Sequence, residues 1–360
     1  MKYLTFILGA GASVAYGLPT GDELVQRVAT HMLRSGNDCD KKLGSKLELY
    51  APLSIDSYLM KHYSQEGRES ALRSYKAYIA FEIMQSLQNA SLGRSNGYEE
   101  TDKATKKFSL RNPENWMRFV IPELLDLYEN YPESECPIKF VIFNYDLSLE
   151  FYLDRVISEY ETTNEGFKKG FFKWISEAIV HLYGQVGFYS WQKDYAEAAM
   201  NTWQHLLSRS WARRQPVPST DLQGHAYELQ KHIRVIGEPT RANDAHVTLA
   251  KEWITKSYSL VFTGYGFNED NNKLLELSET SKSVEGVICG FFGMGGNKER
   301  DAKDIFNMGL NPRTNTNKTR SEILFQPRSP VNHPWLVSYN ATTHQLLKDK
   351  LTLSKLYQPL

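Results

Sequence analysis

A chain of 360 residues is long enough for one large domain or two small ones, and 41% hydrophobic with 23% charged residues is the composition of a folded globular protein rather than a disordered one. Lysine plus arginine and aspartate plus glutamate both number 42, so no net field draws the chain to nucleic acid or to an anionic membrane. The three cysteines, Cys39, Cys136 and Cys289, lie far apart, which argues against a disulfide framework and a paired-cysteine zinc ribbon and fits a reducing cytoplasm.

Tyr3 to Leu8 reads as a buried strand, Gly9 to Ser13 as a tight loop and Asp22 to Leu33 as a helix with Thr20 or Gly21 near its start. Lys2 before an apolar run, with Ser13-Val14-Ala15 beyond it, has the outline of a secretory signal. The run Leu4 to Leu8 is too short for that signal's apolar core, and the glycines after it suit a turn. No stretch elsewhere approaches the ~20 apolar residues of a membrane span.

From about 35 to 135 the pattern is helical and polar, with Tyr75, Tyr78, Ile79, Phe81, Ile83 and Met84 on one amphipathic element. Residues 91 to 111, rich in Gly, Ser, Asn, Thr and Lys, read as an exposed loop. Lys139 to Phe143 is a second strand, and Leu147 to Ile157 can form the helix after it. Ile233 to Ile236, Ser259 to Thr263 and Gly286 to Phe292 are further strand candidates, the last two separated by a helix over 272 to 281. Residues 297 to 317 read as a solvated loop, and the leucines from 346 to 356 as a terminal helix. This alternation predicts an α/β fold, a Rossmann-like, mostly parallel sheet flanked by helices.

Four segments fall at strand ends, where ligands collect in open parallel sheets. Gly9-Ala10-Gly11-Ala12-Ser13 lies between a strand and a helix, a context in which backbone N–H groups and a helix N-terminus can hold a pyrophosphate. Gly9 permits the turn and Gly11 close approach of a ligand, although small residues there also serve packing, and the spacing departs from GxGxxG. A hydride-transfer enzyme places an acid about twenty residues on, at the end of its next strand; Asp22 and Glu23 come too early and suit the positive end of their own helix.

Asn144 and Asp146 follow the second strand, where they can meet a ligand or cap the next helix. His181, after Ile179-Val180 and before Gly184, can serve as a base near neutral pH, with Gly184 leaving space beside the ring. Gly264-Tyr265-Gly266-Phe267 follows another strand and can line a ribose or phosphate, or simply turn the chain. His225, His232 and His246 have no comparable context and form no metal-site spacing with the cysteines.

In this order, Gly9-Ala-Gly-Ala-Ser-x3-Gly-Leu-Pro-Thr, Phe143-Asn-Tyr-Asp146, His181-x-x-Gly184 and Thr263-Gly-Tyr-Gly-Phe267 resemble the motifs of the sirtuin superfamily. The likeness is greater to bacterial sirtuin-like antiphage effectors that degrade NAD+ than to zinc-containing deacylases. Thr20-Gly21-Asp22 follows Pro19 where deacylases commonly carry Asp-Phe-Arg, and no four-cysteine site is present. The resemblance implies one sirtuin-like domain over 1 to 360 with a helical insertion at about 25 to 135 and no zinc. It places Gly9, Ala10, Gly11 and Ser13 on the NAD+ phosphates and adjacent groups, with Gly264 and Gly266 on a later nucleotide loop. Asp146 belongs at the carboxamide end, and Asn144 and His181 are the catalytic pair at the nicotinamide ribose.

The implied activity is cleavage of NAD+ to nicotinamide and ADP-ribose, with a cyclic product also open, in an abortive-infection effector. Such an enzyme is held in check until a sensor or ATPase partner, or homo-oligomer assembly, activates it. A non-catalytic NAD+ or ADP-ribose sensing module, or a deacylase or ADP-ribosyltransferase, are the other readings of the same loops.

Overall fold

The computed structural model describes residues 2–52, 54–63, 69–92, 116–160, 164–192, 217–235, 244–290 and 335–339. Six strands, β1 (Tyr3–Leu8), β2 (Ile138–Ile142), β3 (Ile179–His181), β4 (Ser257–Thr263), β5 (Gly286–Gly290) and β6 (Trp335–Tyr339), form one sheet in the order β3-β2-β1-β4-β5-β6. Every neighbouring pair is parallel. This is a Rossmann-like α/β architecture, with the order reversing between β1 and β4.

The central strands are apolar because helices cover both faces of a parallel sheet. Every residue of β1 and of β2 is buried. Thr5 is accommodated by a 2.6 Å hydroxyl–hydroxyl bond to Ser257 of β4. Lys139, with no exposed side-chain surface, runs its stem through the core to place Nζ 2.6 Å from Glu135 Oε1 and over the rings of Tyr3 and Trp253.

Five described helices lie between β1 and β2: α1 (Gly21–Leu33), α2 (Asp38–Tyr50), α3 (Ile55–Tyr63), α4 (Glu69–Leu92) and α5 (Met117–Asn130). The expected start of α1 is a capping box: Thr20 Oγ1 accepts from Glu23 N, and Glu23 Oε2 accepts from Thr20 N at 3.0 Å. After β2 come α6 (Ser148–Tyr160) and α7 (Glu165–Ser176); α8 (Ser219–Leu229) packs on α4, and α9 (Ala245–Thr255) on β1 and β4.

Three expectations change. Of the strand expected over Ile233 to Ile236, the described residues 233 to 235 are not part of the sheet: a 3₁₀ turn at Gln230–His232 leads into an antiparallel bridge between Ile233 and Gly184, with Arg234 N bonded to Tyr183 O. The helix expected over 272 to 281 begins earlier, at an Asn268 cap, and breaks at Glu276 into α10 (Glu269–Leu275) and α11 (Leu277–Thr280). Glu276 takes a left-handed φ of 50°, and the break lets Leu275 and Leu277, two positions apart and on different faces of one continuous helix, both be buried. β6 was not expected from sequence at all. The loop at 297 to 317, the leucine-rich terminal segment and most of the loop at 91 to 111 lie outside the described residues. Among the described residues no helix is long and apolar enough to cross a membrane, and no three metal-ligating side chains cluster.

Candidate functional site at the carboxyl edge of the sheet

Parallel pairing brings the carboxyl ends of β3, β2, β1 and β4 side by side, and with them all four segments singled out in the sequence. The loops after β1 and β4 flank the point where strand order reverses, the position at which α/β sheets open a crevice. In this chain the two loops pack backbone to backbone. Gly9 N donates to Thr263 O at 3.0 Å and Gly11 N to Gly264 O at 3.1 Å.

That packing explains the glycines. A Cβ on Gly9 would lie 2.4 Å from Gly264 O, one on Gly11 2.8 Å from Gly264 Cα, and one on Gly264 2.0 Å from Ala12 N. Gly9 itself is extended, with φ −112°, so close approach and not the expected turn requires glycine there. Gly264 has both constraints, since its φ is +59°. Gly184, expected to clear space for His181, instead has φ +75° and would drive a Cβ into His232 O. Gly266 is exposed and meets nothing within 4 Å.

Beyond Gly9 the chain makes two 3₁₀ turns, Ala10–Ala12 and Val14–Tyr16, before reaching α1. The first turn of α1 already carries Asp22 and Glu23. A pyrophosphate at the α1 terminus would meet two carboxylates, and the amides of Gly9, Gly11, Ala12 and Ser13 are already spent on Thr263 O, Gly264 O, Gly9 O and Ala10 O. Gly11 and Gly266 are exposed and Ala10 half-buried, so the outer face of the paired loops is open.

Beneath the loops lies a buried polar cluster. The Asn144 side-chain amide donates to Gly9 O at 3.0 Å and to Ser13 Oγ at 3.1 Å, which uses both of its hydrogens and leaves Oδ1 as the atom it can offer. Ser13 Oγ donates to Asp146 Oδ1 at 3.1 Å and lies 3.0 Å from Ser148 Oγ. Asp146 Oδ1 also accepts from Ser148 N at 3.0 Å, so it both faces Ser13 and caps α6. Burial raises the Asp146 pKa, against the bonds from Ser148 and Ser13 and the charge of His181, and it remains above the ordinary carboxyl value.

His181, at the end of β3, is held on both sides: Nδ1 is 3.0 Å from Asn144 O, and Nε2 is 2.7 Å from Glu150 Oε1. Burial pulls its pKa down, but the adjacent Glu150 carboxylate, the Asn144 carbonyl and the charge of Asp146 raise it further, leaving it above the ordinary histidine value. The base role expected for His181 thus requires giving up the Glu150 bond. Glu150 was not picked out in sequence, nor was Trp116, whose indole donates to Ala12 O at 2.9 Å and ties the start of α5 to the glycine loop.

Ala12, Ser13, Trp116, Asn144, Asp146 and Glu150 help to line a narrow recess with room for about one water. That is far smaller than the ~300–1,000 Å³ of sites that engulf small-molecule ligands. Its polar lining is dominated by acceptors, which suits hydroxyl donors or a cation and disfavours a phosphate. No protein-family model matches the chain, and no curated protein matches it.

Proposed function

We propose that the chain is a sirtuin-like NAD+ hydrolase that cleaves the nicotinamide–ribose bond to give nicotinamide and ADP-ribose. The observation that carries this reading is the hydrogen-bonded chain from Gly9 through Asn144 and Ser13 to Asp146, and from Asn144 to His181. It links three distant motifs at one sheet edge, and the fourth motif packs against the first through Gly264. The exposed outer face of the loops at Gly11 and Gly266 leaves room for close approach of the NAD+ phosphates, and the acceptor-rich recess suits its cationic, hydroxyl-bearing nicotinamide riboside end.

Nicotinamide departs from ribose as a neutral molecule, so the reaction needs no general acid. It needs stabilisation of an oxocarbenium-like state and a positioned water. In this proposal Asn144 Oδ1 orients water or the nicotinamide ribose, Asp146 holds the carboxamide end, and His181 fixes the Asn144 backbone. Zinc has no role in this chemistry. The recess is small and its lining buried, so turnover requires an opening step, which fits an antiphage effector restrained in the cytoplasm until a sensor or ATPase partner, or self-assembly, activates it.

The same closure favours a second reading, a non-catalytic NAD+ or ADP-ribose sensor that uses the outer loop face alone. Incubating the full chain with NAD+, with and without a co-encoded partner, and following free nicotinamide separates the two. Release is expected on activation. Saturable NAD+ binding with no release under any activated condition would leave the sensor.

A further inference from the structure

The Glu150 side chain has no exposed surface, and it sits in the first turn of α6 between Leu149 and Phe151. A buried carboxylate is tolerated only when its charge and lone pairs are compensated. Compensation here reaches one oxygen only. Oε1 accepts from His181 Nε2 at 2.7 Å and from Gln192 Nε2 at 3.2 Å. Oε2 is buried with no donor among the described residues, and Glu150 lines the recess beside Ser13, Asn144 and Asp146. Buried acceptors without a partner are rare in folded proteins, and one that borders a recess asks for a donor inside it.

Proton counting separates Glu150 from its partner. The Asn144 carbonyl can only accept, so His181 Nδ1 carries a proton. Nε2 is spent on Glu150 Oε1, whichever of the two atoms holds the proton between them. No lone pair of the imidazole remains for a substrate. Asp146, the other carboxylate of the recess, is engaged through Oδ1 with Ser148 N and the Ser13 hydroxyl. An anion would meet two carboxylates, whereas a water or a sugar hydroxyl supplies the missing donor.

We infer that the proton acceptor of this site is the Glu150 carboxylate, acting through Oε2 on a water or hydroxyl in the recess, with His181 as the positioning residue that holds the carboxylate in place. The inference rests on the NAD+-cleaving reading and names its base. Water hydrogen-bonded to Oε2 attacks the anomeric carbon as the carbon–nitrogen bond breaks. The bonding pair passes to the pyridinium nitrogen, giving neutral nicotinamide. The water oxygen forms the new bond to carbon, its proton moves to Oε2, and that proton then leaves to solvent. NAD+ and water become nicotinamide, ADP-ribose and a proton.

The test uses the full chain with its activating partner. Glu150→Gln preserves shape: its amide nitrogen can donate to His181 Nε2 while its oxygen stays toward the recess, so what is lost is the basic charge and the 3.2 Å bond from Gln192 Nε2. The expected result is a fall in kcat for nicotinamide release of about 100-fold or more, with ADP-ribose affinity within about threefold of wild type. Glu150→Ala, which removes the carboxylate, should regain nicotinamide release when sodium formate is added, a response that a purely structural role would not give. Glu150→Gln turning over at the wild-type kcat would overturn the assignment while leaving the NAD+-cleaving reading in place. Wild-type protein that releases no nicotinamide with its partner present would overturn that reading, and the assignment with it.

Discussion

Gly264 and Gly266 stand two positions apart in one loop and are glycine for different reasons. Gly264 has φ +59° and faces Ala12 N at a distance no Cβ tolerates, whereas Gly266 faces open space. Gly264→Ala should therefore destabilise the fold by ~2–4 kcal/mol, combining left-handed strain with overpacking. Gly266→Ala should stay within ~0.5 kcal/mol. Urea unfolding of the two variants checks both.

Protonation at the site makes a prediction of definite sign. The folded-state pKa of Asp146 lies above its ordinary value, so its contribution is fully present below about pH 3.9 and is lost as pH rises through the raised folded value. His181 is also raised, so its contribution holds below about pH 6.5 and is lost above that, as pH passes through its folded pKa. Asp146→Asn keeps an oxygen for Ser148 N and the Ser13 hydroxyl but removes the buried charge. It should be at least as stable as wild type at pH 7, with a flatter fall in stability between pH 4 and 7. A less stable variant at pH 7 would show that the charge is compensated more fully than burial suggests.

Asn144, Asp146 and His181 were legible in the sequence because each sits at the end of an apolar run. Glu150 was not, because an acid two residues into a helix reads as an answer to the helix dipole. Only its contact with His181, 31 positions away, distinguishes it. The one local hint is its apolar setting, with Leu147, Leu149, Phe151 and Tyr152 around it. The glycines were recognised, but their main reason was not, since it lies in a loop some 250 residues away.

Among the elements, β1, β2 and β4 were readable because a strand covered on both faces is nearly continuous in apolar residues. The same rule misleads at Ile233 to Ile236, where Ile-Arg-Val-Ile has strand composition but, among the described residues 233 to 235, only Ile233 forms a bridge. It also misses β6, a five-residue strand whose place is fixed by pairing with β5. Capping chemistry was more dependable: Thr20, Asp22 and Glu23 announce α1, and the structure adds the reciprocal bonds. Thr20→Ala removes the acceptor for Glu23 N and should cost ~1 kcal/mol. The predicted result is a lowered urea midpoint with an unchanged m value; no shift would mean that the second half of the box, Glu23 to Thr20 N, suffices alone.

For the whole molecule, a parallel sheet turns strand-end motifs into neighbours without any local signal of that proximity. Ser13 and Asn144 are 131 positions apart and share a hydrogen bond, because β1 and β2 pair in register. What the sequence does not carry is volume: nothing in the motifs says that Asn144, Asp146 and His181 would be buried, the first two of them beside a recess with room for about one water. That closure gives an NAD+-destroying enzyme a physical means of restraint, and it gives a sensor a reason for inactivity. Nicotinamide release from NAD+ by the full chain with its activating partner, wild type beside Asn144→Ala, separates them most directly. The account predicts steady release by the wild type and a loss of about 100-fold or more in the variant; equal release by both, or none by either, would contradict it.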